Sequence, residues 1–375
     1  MKLPHDHIDP DGLQEFSVVF TDRSLNHMSA KFQGVMREIS ETLREVYSAE
    51  AVVVVPGGGT YAMEAVARQF GRGARVLVVR NGWFSYRWSQ IFEAGGFAAE
   101  MDVVMARQTG NAARAPYAPP PIAEVVARIH EAKPEVVFAP HVETSSGIIL
   151  PDDYITQMAQ AAHEVGALMV LDCIASGCVW VDMAATGVDV LISAPQKGWS
   201  ASPAAGLVMM SAGAVARLAD TTSDSFALDL KKWRSIMAAY EGGGHAYHAT
   251  MPTDALVGFL DAMRETKAMG LAEAKAAQWA LGNAVRAMLA AHGLVSVAAD
   301  GFGAPGVVVS YTDDPAIQNG AKFREQGLQV AAGVPLQVGE GAEFKTFRLG
   351  LFGLDKLADV PATVARLERA VTAIL

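Results

Sequence analysis

Lys197 closes the run Leu191-Ile-Ser-Ala-Pro-Gln196 and is followed at once by Gly198, so an apolar strand ends in one amine held toward an internal ligand. A second apolar run, Leu168-Met-Val-Leu, ends in the carboxylate of Asp172. A third, Ala51 to Val55, runs into Pro56-Gly57-Gly58-Gly59-Thr60. Burial lowers the pKa of a lysine and frees its lone pair for attack on a carbonyl. A carboxylate at a strand end can keep the nitrogen of a pyridine ring protonated, and a glycine turn that opens a helix offers backbone N–H groups to a phosphate. An amine, a carboxylate and a phosphate turn are the three parts of a pyridoxal 5'-phosphate site.

Gly57-Gly58-Gly59-Thr60-Tyr61-Ala62 also satisfies G-x-G-x-x-A, the dinucleotide fingerprint. That motif calls for an acidic residue at the end of the second strand to hold the ribose, whereas Arg80-Asn81 stands there. It also leaves Lys197 and Asp172 without a task, so the pyridoxal phosphate reading is preferred.

The elements that must position these groups follow from periodicity. Ser29 to Tyr47 carries Phe32, Val35, Met36, Ile39, Leu43 and Val46 at helical spacing. Strands are expected at Ala51 to Val55, Ala74 to Val79, Val136 to Ala139, Ala167 to Leu171, Val188 to Ser193 and Ala205 to Met210, with helices between. The valine run 51–55 suits a strand buried on both faces of a parallel sheet. Alternation of this kind predicts an α/β fold with a mostly parallel sheet covered on both sides, whose ligands sit at the carboxyl ends of strands. Gly57 to Gly59, the segment around Glu143 and Thr144, Asp172 and Lys197 all fall just past such ends. A long helical region from Thr253 to about His292 leads to short strands near Val307 to Tyr311 and Thr346 to Leu349, and to a terminal helix from about Lys356. The expected division is an N-terminal segment 1–25, a large domain 26–255, a connecting helical region 256–292 and a small α+β domain 293–375.

Of the 375 residues, 51% are hydrophobic and 19% charged, as in a packed enzyme, and the net charge is −10. With no run of basic residues, this balance speaks against nucleic acid and anionic membranes as partners, and an anionic substrate must be met by local cations. No apolar stretch reaches the roughly 18 residues of a membrane span. The N-terminal stretch has no secretory pattern and a cytoplasmic location is expected. Cys173 and Cys178 read as buried structural residues. His5 and His7 read as solvated, and no histidine shows metal spacing, so no metal is expected.

Taken together, these motifs resemble the class V aminotransferases of the alanine–glyoxylate/serine–pyruvate type, from Asn26-His-Met-Ser29 to Phe347-Arg348-Leu-Gly350. The resemblance implies the fold-type I architecture, with a seven-stranded large-domain sheet, and pyridoxal phosphate bound as a Schiff base. By it, Gly58 and Gly59 match the phosphate turn, and Asn81-Gly-Trp-Phe84-Ser-Tyr-Arg87 matches the segment whose aromatic residue, Phe84 rather than Trp83, stacks on the cofactor. His141-Val-Glu143-Thr144-Ser-Ser-Gly147 matches the loop that sets Thr144 beside the ring oxygen. Asp172 matches the ring-nitrogen partner, Gln196 a phosphate ligand and Lys197 the cofactor lysine. Tyr247 and Thr250 match a pair that reaches the phosphate of a neighbouring subunit, which implies a homodimer. Arg348 matches the arginine that grips the substrate α-carboxylate, a task suited to a forked guanidinium. The family's usual Gly-Pro-Gly-Pro opening is replaced by Glu15 to Arg23, and Arg23 is a candidate for a second substrate carboxylate, against an ordinary exposed ion pair.

The expected activity is transamination between a small amino acid and a small 2-oxo acid such as glyoxylate or pyruvate. A lyase performing β-elimination is the alternative. A desulfurase is disfavoured because no cysteine follows Cys178. The intact Lys197, Asp172 and Arg348 argue against a binding protein without chemistry.

Overall fold

The computed structural model describes residues 13–375, so His5 and His7 lie outside the described residues. Seven strands form the central sheet: β1 Ala51–Pro56, β2 Arg75–Arg80, β3 Glu100–Met105, β4 Val136–Pro140, β5 Leu168–Asp172, β6 Val190–Ser193 and β7 Ala205–Met210. Their order across the sheet is β1-β7-β6-β5-β4-β2-β3. The five strands from β6 to β3 pair in parallel, and β7 runs antiparallel to both β6 and β1.

Two strands depart from the sequence expectation. The valine run of β1 does not lie inside the parallel sheet: β1 is an edge strand with β7 as its antiparallel partner. It is nevertheless buried from Ala51 to Val55, because helix α1, Ala30–Tyr47, and the helix Leu230–Glu241 pack over it. A continuous apolar run therefore reports coverage by helices and not the direction of the neighbour. Strand β3 was not anticipated, since Glu100 and Asp102 break its apolar pattern; it is the opposite edge of the sheet and only partly buried.

Helix α1 begins where its pattern predicts. Ser29 caps it by accepting from the Phe32 N–H, and Phe32, Val35, Met36, Ile39 and Leu43 face the core. Helices α2, Gly59–Phe70, and α3, Trp83–Gly95, leave the carboxyl ends of β1 and β2. Beyond the sheet, the region expected as one helix from Thr253 is two, Thr253–Met269 and Leu271–Ala291, divided at Gly270 with φ 95°. A second sheet joins β8 Val307–Tyr311, β9 Ala331–Ala332 and β10 Thr346–Gly350 in the order β8-β10-β9, all antiparallel. It packs with Leu281, Val285, Leu289 and Val371 in a core distinct from that of the large sheet. The expected terminal helix is also two pieces, Leu354–Leu357 and Val360–Ile374, the second capped by Asp359.

Close approach of α2 to β7 sets the glycine turn. Gly206 pairs with Val55, and a Cβ there would lie 2.4 Å from Ala62 Cβ and 2.7 Å from the Gly58 carbonyl oxygen. Gly206→Ala should therefore push α2 off the sheet and destabilise the protein by about 1–3 kcal/mol, read as a lowered urea midpoint.

Candidate active site

The carboxyl ends of β1, β2, β4, β5 and β6 surround one cavity of about 220 Å³, whose wall includes Gly59, Phe84, Thr144, Asp172, Gln196 and Lys197. Asp172 ends β5 between Pro140 and Ile192 of the flanking strands, which fixes it at the middle of the sheet edge. Its Oδ1 accepts the Ile174 N–H at 2.9 Å. Burial pushes its pKa up to about 6, with the Ile174 bond pulling the other way.

Lys197 is mostly buried and lies 5.1 Å from the centre of the Phe352 ring. Burial lowers its pKa, and the nearby Arg348 guanidinium lowers it further, against the pull of Asp172. The amine is thus biased toward the free base needed for nucleophilic or proton-transfer work. Arg348 stands on β10, donates from Nε to the Ala332 carbonyl at 2.8 Å, and holds its Cζ 5.5 Å from the Phe84 ring centre.

Phe84 owes its position to a buried carboxylate. Glu143, fully buried after β4, accepts from the backbone N–H groups of Phe84 at 3.2 Å, Ser85 at 2.8 Å and Ser145 at 3.0 Å. The hydroxyls of Ser85 and Ser145 each donate to it at 2.7 Å. The first-turn amides of α3, which the helix itself leaves free, find their acceptor there. Gly82 permits this approach, since a Cβ on it would meet Ser145 Oγ at 2.1 Å. Trp83 turns instead against Tyr86, with ring centres 6.1 Å apart, and is not part of the cavity wall. His141 lies buried behind the cavity: its N–H donates to the Asp172 carbonyl at 2.8 Å, and its ring is 2.7 Å from Ser176 Oγ. Burial holds the ring neutral, with its pKa pushed down to about 3.

A phosphorylated ring fits what the residues leave unsatisfied. Helix α2 starts at the cavity wall with Gly58 as its cap and no side-chain acceptor on its first amides. Gln196 Oε1 is buried without a hydrogen-bond partner. A carboxylate and an amine stand on the same wall, as a ring nitrogen and a carbonyl carbon require.

Some candidates stay apart from this cavity. Tyr247 and Thr250 bond to each other at 3.1 Å, and Tyr247 is 54% exposed; neither lines the cavity of its own chain. Arg23 is exposed, with Nε 4.0 Å from Asp22, which agrees with an exposed ion pair more than a pocket cation. Glu15, Phe16 and Ser17 line a separate hollow with Asn26 and Met28. The sequence reading names Thr60 and Arg87 only as members of their motifs, without a role, and does not single out Phe352. Arg87 is on the cavity wall and Phe352 beside Lys197; only the last turn of spacing from Phe84 to Arg87 hints at the former. Cys173 and Cys178 are free and buried, as expected.

The fold and this cavity define a fold-type I pyridoxal phosphate enzyme. The model of the aminotransferase class-V family matches residues 13–332, and the chain belongs to that family. Among its relatives, alanine–glyoxylate aminotransferase 1 of Saccharomyces cerevisiae (strain ATCC 204508 / S288c) is 25% identical over 352 residues, covering 88% of this chain and 86% of that protein. A Synechococcus sp. (strain PCC 6716) protein named soluble hydrogenase, small subunit, is 28% identical over 348 residues, covering 92% and 86%. The solved structure of alanine–glyoxylate aminotransferase from Nostoc sp. shares the fold with a TM-score of 0.79 at 24% identity, covering 94% of this chain and 89% of that one. Among the described residues no helix is long and apolar enough to cross a membrane, and no group of three or more metal-ligating side chains gathers.

Two outcomes follow. Glu143→Ala strands the α3 amides in a buried site and should cost about 3–5 kcal/mol, seen as a fall in unfolding free energy. Asp172 has a pKa raised by folding, so it stabilises the cofactor-free protein only while protonated: the contribution is full below about pH 4 and lost as pH rises through 6. Cofactor-free Asp172→Asn should then be more stable than the parent by about 1–3 kcal/mol at pH 7.5 and equal to it near pH 4, by urea titration at both values.

Proposed function

We propose that the enzyme moves an amino group from a small amino acid to a small 2-oxo acid such as glyoxylate or pyruvate. One observation carries the reading: Lys197, depressed in pKa, and Asp172 share a cavity wall with Phe84, and Arg348 stands over that same ring. The names of the relatives support the same reaction class.

When bound, pyridoxal phosphate supplies an electrophilic carbonyl carbon and a protonated aromatic ring able to take up an electron pair. Asp172 would hold the proton on the ring nitrogen, and the arriving cation would draw its carboxyl back toward the ionised form. Phe84 would cover one ring face, with Thr144 beside the ring oxygen. The amides at Gly58 and Gly59 and the side chain of Gln196 would take the phosphate. Arg348 would fix the substrate α-carboxylate through its forked donors. Lys197 Nζ would anchor the cofactor at its carbonyl carbon, and as a free amine it would serve as the base that takes and holds the proton of the substrate Cα. The exposed Tyr247 and Thr250 would close the phosphate site of a second copy, which makes the working unit a homodimer. The division into segments 1–25, 26–255, 256–292 and 293–375 belongs to the same reading, with the core around β8 and β10 as its support. So does a cytoplasmic location, in keeping with two free buried cysteines.

The test is a panel of amino donors scored for 2-oxo acid product with and without an acceptor. Strict dependence on the acceptor is expected; ammonia release without acceptor would instead identify a lyase. Lys197→Ala should lower turnover by about 100- to 10,000-fold while leaving cofactor bound, and undiminished transamination by it would defeat the assignment.

A further inference from the structure

Arg87 is a charged residue on the cavity wall for which the reading above has no task. It lies one turn beyond Phe84 on α3, half-buried, with its Cζ 5.2 Å from the Phe84 ring centre. Its Nη1 donates to Thr60 Oγ1 at 2.9 Å, so the guanidinium is tied to the first turn of α2, beside the glycines. No carboxylate among the described residues forms an ion pair with it, whereas Arg68 on α2 has Glu64 and Asp224, and Arg128 has Asp102 and Glu131. Both Asp172 and Lys197 feel its charge.

The glycine turn has a complementary shortage. Gly57, Gly58 and Gly59 bring no side chain to an anion, and α2 carries no side-chain cap. Backbone amides and the amide side chain of Gln196 are neutral donors, while a phosphate ester near neutral pH carries close to two negative charges. Lys197 cannot balance them, because it is committed to the carbonyl carbon and is opposed by Asp172. A lone guanidinium joined to Thr60 stands where that missing positive charge is required, and its planar fork matches two phosphate oxygens.

We infer that Arg87, oriented by Thr60, is a direct ligand of the cofactor phosphate and supplies the cation that the glycine turn lacks. The inference rests on the pyridoxal phosphate reading of the site. It deepens that reading by making affinity depend on a side chain from α3, so that the aromatic cover and the phosphate clamp belong to the same helix.

Pyridoxal, which lacks the phosphate, separates this role from a general effect on the cavity. Dissociation constants of pyridoxal phosphate and pyridoxal would be measured by absorbance titration of the full-length cofactor-free protein and of Arg87→Gln. The expected result is an affinity for pyridoxal phosphate lowered about 10- to 100-fold with that for pyridoxal unchanged, since a charge-assisted pair is lost only where phosphate is present. Arg87→Lys, which keeps the charge and loses the fork, should show a smaller loss confined to pyridoxal phosphate, and it carries the comparison if Arg87→Gln does not fold. Equal losses for both ligands, no loss for either, or a change only in the KM of a dicarboxylate substrate would each overturn the assignment. A parent protein that binds neither ligand would overturn the cofactor reading itself.

Discussion

The buried carboxylate of Glu143 is the constraint on which the site depends. It comes from the loop after β4 and accepts five hydrogen bonds, three from backbone amides and two from serine hydroxyls. Two of its donors, Ser145 N–H and Oγ, belong to its own loop, and three belong to the start of α3. A buried carboxylate is tolerated only when its lone pairs are met, so the loop and the helix must dock in one register. That register brings Phe84 and Thr144 to the same cavity. Ser145 and Ser146 reinforce it by reaching Trp83 N–H and the Asn81 carbonyl.

The electrostatics of the cavity form a second layer built on this frame. Asp172 and Lys197 are pushed toward their neutral forms by the same burial, one upward and one downward. Each is also partly held in its charged form by the other. The arrangement stores unfavourable desolvation in the cofactor-free protein, which a cationic ring nitrogen beside Asp172 would relieve. Stability given up at a site in this way is a common companion of function. Arg348 and Arg87 both hold their guanidiniums near Phe84, 5.5 Å and 5.2 Å from its ring centre, and bring local cations to a chain whose net charge is −10.

The edge position of β1 explains how the glycine turn reaches the same cavity. β7, antiparallel between β1 and β6, lets the chain return across the sheet and leaves the carboxyl ends of β1 and β6 on one side. Gly206 on β7 then allows α2 to sit tightly on the sheet, so that the turn before it is drawn in beside Lys197.

The placement of chemically useful groups at strand ends was legible in the sequence. Lys197, Asp172 and Gly57 to Gly59 each follow an apolar run, and the period of such runs is a local property that fixes strands and their ends without knowledge of neighbours. Phe84 and Arg348 were legible only through family resemblance, because an aromatic or an arginine in a helix or strand has no local pattern that distinguishes a pocket from a core or a surface. What only the tertiary structure decided was who meets whom. Strand direction at β1, the partly polar edge strand β3, the Glu143 tie to α3 and the tether of Arg87 to Thr60 all arise between segments far apart in the chain. Periodicity says which face of an element is covered; the partner that covers it is set by the packing of the whole sheet.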